Sequence, residues 1–184
     1  MRGIESILKL VCGFLNKNDI EYVIVGGFAV MVHGNPRATM DIDFVMNLED
    51  KDIPKLVKFL KENNFFASEE DIKLALKEKS HFTIEDKETM FRLDIKGVYT
   101  EIDKITLKNR VKVDFEGMSI YVASPEDTIA GKLYFGRERD FEDALSVYVR
   151  RYEEIDMEYL ERICERLNLV ESLERLRKSY GEKK

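Results

Sequence analysis

The chain alternates between two hydrophobic rhythms. Residues 4–16 carry apolar side chains at helical spacing, broken by Glu5 and Lys9, and predict an amphipathic helix. "EYVIVGG" is a short apolar run stopped by glycine, which predicts a buried strand. "FAVMVHG" predicts one or two helical turns closing at Gly34, "NPRAT" a loop, and "MDIDFVMN" a second strand. "DIPKLVKFLKENNF" returns to the helical period through Ile53, Leu56, Val57 and Leu60, and "SEEDIKLALKEK" predicts a further helix. "HFTIE" and "TMFRLDIKG" alternate as strands joined by the charged turn "DKE". "RVKVDFEGMSIYVAS" predicts a hairpin turning at Glu116-Gly117. At Ser124-Pro125-Glu126-Asp127 a cap serine, a first-turn proline and first-turn acids open a helix, and the chain stays helical to its end.

This order predicts an α/β (α+β) fold: a mixed central sheet flanked by helices, then a C-terminal helical region. The expected boundaries are a core with its N-terminal helix over 1–124 and a helical region over 125–184 packed on it.

One strand breaks its own pattern. Strands covered on both faces are usually runs of Val, Ile and Leu, yet "MDIDFVMN" holds two acids. Residues i and i+2 of a strand share a face, so Asp41 and Asp43 project together, roughly 7 Å apart at Cα. Ile42 and Phe44 turn to the other side. Carboxylates this close repel unless a cation neutralises them, and hard oxygen donors suit Mg²⁺ or Mn²⁺ rather than zinc. Asp94 in "FRLDIKG" shares a face with Arg92 and Lys96, opposite Phe91, Leu93 and Ile95. It is the candidate third acid; the competing reading is a solvated strand face. Two acids at a strand end also serve as turn formers or edge protection.

Gly26-Gly27 follows the first strand and opens a helix. Glycine lets backbone approach a ligand, and a helix N-terminus offers free N–H groups and a positive dipole end, which together hold phosphate. Metal-binding acids beside a phosphate cradle point to phosphoryl or nucleotidyl transfer. Arg37 is either a phosphate contact or a solvated loop residue.

Composition narrows the partners. The net charge is −6, which excludes a strongly basic nucleic-acid binder. Charged residues make up 36% and glutamine is absent, a profile like that of hyperthermophile proteins. Cys12 and Cys164 form no CxxC pair and read as buried apolar side chains rather than a zinc site or disulfide. The N-terminal stretch has neither the pattern of a signal peptide nor the length of a membrane span, so the expectation is a cytoplasmic protein without membrane contact.

Gly26-Gly27, Asp41-x-Asp43 and Asp94 together resemble the nucleotidyltransferase fold of the DNA polymerase β superfamily. The wider stretch "GGFAVMVHGNPRATMDID", with His33-Gly34, Arg37 and Thr39 between glycines and acids, is similar to the toxin-type nucleotidyltransferases of abortive-infection toxin–antitoxin systems and their prokaryotic relatives. Lys132, Arg139-Asp140 and Asp143 match the later helical part of that branch.

The resemblance implies transfer of a nucleoside monophosphate from a nucleoside triphosphate, such as ATP, to a hydroxyl of RNA, protein or a small molecule, with release of pyrophosphate. It implies Asp41, Asp43 and Asp94 as metal ligands and catalytic acids. Gly26, Gly27, Arg37, Thr39 and Lys132 would bind nucleotide and phosphate, with Asp140 in support. A cognate toxin or antitoxin partner is a further implication. Phe28 stands where the family has a serine after the glycines, which removes one hydroxyl contact. The alternative function is a nucleotide-binding toxin–antitoxin component or regulator with little or no catalysis.

Beside these stand plainer readings. His33 caps a short helix, His81 is structural or exposed, Lys132 is a snorkelling surface lysine, and Arg139, Asp140 and Asp143 form a surface ion cluster. Tyr134, Phe135, Phe141 and Tyr148 are expected in a helical core.

Overall fold

A computed structural model describes residues 3–181. Met1, Arg2, Glu182, Lys183 and Lys184 lie outside the described residues. The chain divides into two compact units, one of Met1–Ile24 with Thr39–Val122 and one of Val25–Ala38 with Ala123–Lys184.

The first unit opens with helix α1 (Ile4–Lys17), whose Ile7, Leu8, Val11, Cys12 and Leu15 form the buried stripe its spacing predicts. Burial pushes the Cys12 thiol up to about 12, which leaves it unreactive as a nucleophile. Strand β1 (Tyr22–Val25) follows, then β2 (Asp41–Met46) and helix α3 (Ile53–Glu62). After these come β3 (Phe65–Phe66), helix α4 (Glu69–Lys77), β4 (His81–Asp86) and β5 (Arg92–Gly97). Helix α5 (Glu101–Lys108), β6 (Val111–Phe115) and β7 (Met118–Val122) complete the unit.

The seven strands form one sheet in the order β3-β4-β5-β2-β1-β7-β6. β2 with β5 and β1 with β7 run parallel, while β3–β4, β4–β5 and β6–β7 are antiparallel. The mixed sheet is thus as expected. The β6–β7 hairpin turns at Glu116 and Gly117, with φ of 49° and 81°. Two consecutive positive φ values are what a tight hairpin matching strand twist requires. Two elements escape the hydrophobic pattern. β3 is only two residues long, too short to alternate. Helix α5 is announced instead by a capping box, in which Thr100 and Asp103 each satisfy the other's backbone N–H.

The second unit joins helix α2 (Gly26–His33) to four C-terminal helices: α6 (Pro125–Phe135), α7 (Glu138–Arg151), α8 (Met157–Arg166) and α9 (Val170–Gly181). Its core gathers Val30 with Ile129, Leu133, Ala144, Val147, Tyr148, Leu160 and Leu176. The glycine-opened helix therefore packs with the C-terminal helices, although the sequence sets it directly after a strand. Gly34 ends α2 against α7: an added Cβ would lie 2.4 Å from Ser146 Oγ and 3.0 Å from both Val147 Cγ2 and the Val30 carbonyl. Gly34→Ala should cost about 1–3 kcal/mol in urea unfolding, the usual range for overpacking. His33 donates from Nε2 to the Ala123 carbonyl at 2.8 Å, and burial lowers its pKa. It is a neutral structural histidine. Tyr134 and Phe135, expected inside, are exposed, because Gly136 ends α6 in the left-handed region directly after them.

Ser124 caps α6 by accepting from the Asp127 N–H. Asp127 is itself buried, with Oδ1 accepting from the Tyr159 hydroxyl at 2.6 Å and Oδ2 lacking a partner among the described residues. Burial pushes its pKa up to about 6, although the Tyr159 bond opposes the shift. An acid raised on folding binds more protons in the folded state, so stability falls as pH rises from about 4 to about 6. Asp127→Asn should remove that fall, worth up to about 3 kcal/mol, in urea titrations run across this range.

Candidate functional site

In the first unit the period-2 alternation of β2 and β5 decides which side chains meet. Ile42, Phe44, Leu93 and Ile95 are buried on one face. Asp41, Asp43, Arg92 and Asp94 lie on the other. The parallel register pairs Asp41 with Arg92 and Asp43 with Asp94. The three predicted acids therefore share one face of two adjacent strands. The side chains of Asp41 and Asp94 are 34% and 27% exposed, enough for a ligand to reach their oxygens.

Arg92 is the residue that sequence reasoning left without a role. Its Nε lies 2.6 Å from Asp41 Oδ1 and 3.7 Å from Asp94 Oδ2. The Thr83 hydroxyl donates to Asp94 Oδ1 at 2.6 Å. Thr39 is occupied locally, its hydroxyl donating to the Asp41 carbonyl at 3.0 Å as the chain enters β2. Among the described residues no three His, Cys, Asp or Glu side chains are gathered as a ready metal cage. The donors fit a hard divalent ion by type and by shared face, while two of them are now drawn to a guanidinium.

In the second unit α2 begins at Gly26 with φ of 63°, a left-handed turn that an L side chain rarely adopts. Among the described residues the N-cap, Val25, makes no side-chain cap hydrogen bond to the helix start. Gly27 is buried, as is Phe28, whose ring fills core rather than replacing the missing hydroxyl.

Lys132 and Asp140 also belong to this unit and do meet. Lys132 Nζ lies 3.0 Å from Asp140 Oδ1 and 2.9 Å from Asp143 Oδ2. Arg37 pairs with Asp143, and Arg137 Nε reaches Asp140 Oδ2 at 2.5 Å. Burial alone would raise the Asp140 pKa, but hydrogen bonds from Arg137 and Lys132 outweigh it and hold the carboxyl below its usual range. Lys132 is thus a buried bridging cation, not a snorkelling surface residue, and Arg137 rather than Arg139 holds Asp140. The five groups carry three positive charges and two negative ones.

A separate cleft of about 290 Å³ in the first unit is lined by Asp19, Glu21, Tyr22, Arg110 and Tyr121 among others. It contains none of the predicted site residues.

A mixed sheet carrying carboxylates at matched register agrees with the nucleotidyltransferase class that the sequence resembles. The family described as nucleotidyltransferase of unknown function (DUF6036) matches residues 4–180, and the chain belongs to it. No curated protein matches the sequence. An antigenic nucleotidyltransferase-like protein from Paracoccidioides brasiliensis shares the fold with a TM-score of 0.61 at 15% identity, over 96% of this chain and 91% of that one. ANT(2″)-Ia, solved with adenylyl-2″-tobramycin, gives 0.60 at 12% identity, over 89% and 96%. The lincosamide antibiotic adenylyltransferase LnuA, bound to lincomycin, gives 0.51 at 14%, over 80% and 98%. At these identities the likeness is one of fold. No helix of the described residues is long and apolar enough to cross a membrane.

Proposed function

We propose that this chain is a metal-dependent nucleotidyltransferase that moves a nucleoside monophosphate from a triphosphate such as ATP to the hydroxyl of a small molecule. The observation that carries this is the Asp43–Asp94 register beside Asp41, which sets three carboxylates on one accessible face. Asp41 and Asp43, with Asp94, would hold Mg²⁺ or Mn²⁺, which neutralises phosphate charge when bound. Gly26 and Gly27 at the helix start would hold phosphate oxygens through backbone N–H groups. Arg37 and Lys132 would add positive charge, with Asp140 fixing Lys132. Thr39 supports the entry to β2.

In the reaction the acceptor oxygen bonds to the α-phosphorus and the bond to the bridging oxygen breaks. Pyrophosphate leaves, and the hydroxyl proton passes to a carboxylate, a role assigned to Asp94. A small-molecule acceptor is favoured because ANT(2″)-Ia and LnuA, whose structures hold antibiotic-derived small molecules, align over nearly their whole lengths with this chain. RNA and protein acceptors are the competing outcomes. Phe28, in place of a hydroxyl residue, favours the second reading, a nucleotide-binding toxin–antitoxin component without catalysis.

The test is incubation with each α-labelled triphosphate, Mg²⁺ or Mn²⁺, and in turn aminoglycosides and lincosamides, total RNA, or cell protein. Metal-dependent label on a small molecule with stoichiometric pyrophosphate is expected. Label on RNA or protein would reassign the acceptor. Nucleotide binding without transfer in any mixture would favour the second reading.

A further inference from the structure

Arg92 stands at the same register as two acids at once. On one side it pairs with Asp41 of β2, and on the other with Glu85 of the antiparallel β4. Its guanidinium presently favours Asp41, with Asp94 close behind. Lys96, the next cation on this face of β5, is committed to Asp103 at 2.6 Å. Arg92 is half exposed, so its long side chain has room to swing.

We propose that Arg92 is a built-in counter-cation with two seats: it neutralises Asp41 and Asp94 while no divalent ion is bound, and moves to Glu85 when one binds. The inference rests on the assignment of these acids as metal ligands. Three carboxylates on one face repel each other unless something positive lies among them. A guanidinium does this adequately for a folded resting protein. An arriving divalent ion carries twice the charge, competes for Asp41 Oδ1 and repels the guanidinium. Glu85 offers the displaced cation a carboxylate on the adjacent strand, with no backbone movement needed. The acids are thereby kept free of full mutual repulsion when empty, at the expense of weaker affinity for the ion. Arg92 is on this view a positioning residue, acting on the ion through Asp41.

Titration calorimetry with Mn²⁺ on the wild type, Arg92→Gln, Glu85→Gln and the double variant tests this, with circular dichroism confirming that each is folded. Arg92→Gln should bind Mn²⁺ about tenfold more tightly, because the competing cation is gone. Glu85→Gln should bind several-fold more weakly in the wild-type background and no differently in the Arg92→Gln background. That non-additivity separates a seat for Arg92 from a through-space effect of Glu85 charge. Unchanged affinity in Arg92→Gln overturns the proposal, as does an equal Glu85→Gln effect in both backgrounds. Absence of Mn²⁺ binding in all four proteins overturns the metal assignment, and the proposal with it. Binding that survives Asp41→Asn with Asp43→Asn places the ion elsewhere and has the same consequence.

Discussion

Asp41→Asn and Asp43→Asn should each lower nucleotidyl transfer by about three orders of magnitude or more while leaving the melting temperature nearly unchanged. Both side chains are half-buried on the polar face of β2, and the residues that hold the strand in the core are Ile42, Phe44, Val45 and Met46. Asparagine keeps the shape and removes the charge. What is lost is the oxygen anion that a divalent ion requires, and with it the electrostatic stabilisation that carries most of such catalysis. Asp94→Asn should show a loss of its own. The Asp94 effect, unlike the others, should vary with pH if Asp94 takes the acceptor proton. Transfer assays with purified proteins at saturating triphosphate measure all three.

The second large effect is on stability. Lys132→Met should reduce the unfolding free energy by about 3 kcal/mol, near the lower end for breaking a buried ion pair from one side. The substitution keeps the volume but leaves Asp140 and Asp143 facing each other across the place of the ammonium. Arg137 and Arg37 remain as partial partners, which is why the upper end is not expected. For a chain of this size the melting temperature should fall by about 6–12 °C.

The pH dependence has a definite sign. The folded pKa of Asp140 is depressed. Its contribution is therefore present above the unfolded value of about 3.9 and is lost as pH falls through the folded value. Wild type and Lys132→Met should accordingly converge in stability below about pH 4. Denaturant titrations of the two proteins across the acidic range measure this.

Legibility differed with the range of the interaction. The Glu116-Gly117 hairpin, the Ser124 cap and the shared face of Asp41 and Asp43 are set by neighbours within a few residues, and the sequence displays them directly. The α5 capping box was equally local, in Thr100 and Asp103, but of the apolar residues of its helix only Leu107 is buried. What no local pattern contains is register. That β2 and β5, about fifty residues apart in sequence, place Arg92 beside Asp41 follows only from their parallel pairing.

Burial was hidden in the same way. Lys132 among Ile129 and Leu133 looks like a lysine reaching outward until α7 brings Asp140 and Asp143 over it. Conversely, Tyr134 and Phe135 have core-type side chains, but they fall at the last turn of α6 and are exposed among the described residues. Gly26-Gly27 followed a strand in sequence yet packs with helices far downstream, because the apolar face of α2 is completed by α6 and α7.

Crystals grown with Mn²⁺ and a non-hydrolysable ATP analogue would decide whether these acids bind the reaction's ions. Anomalous scattering should place manganese in direct contact with Asp41 and Asp43, next to the triphosphate. Manganese located elsewhere, with triphosphate bound and the Asp41 carboxylate still turned to Arg92, would refute the assignment.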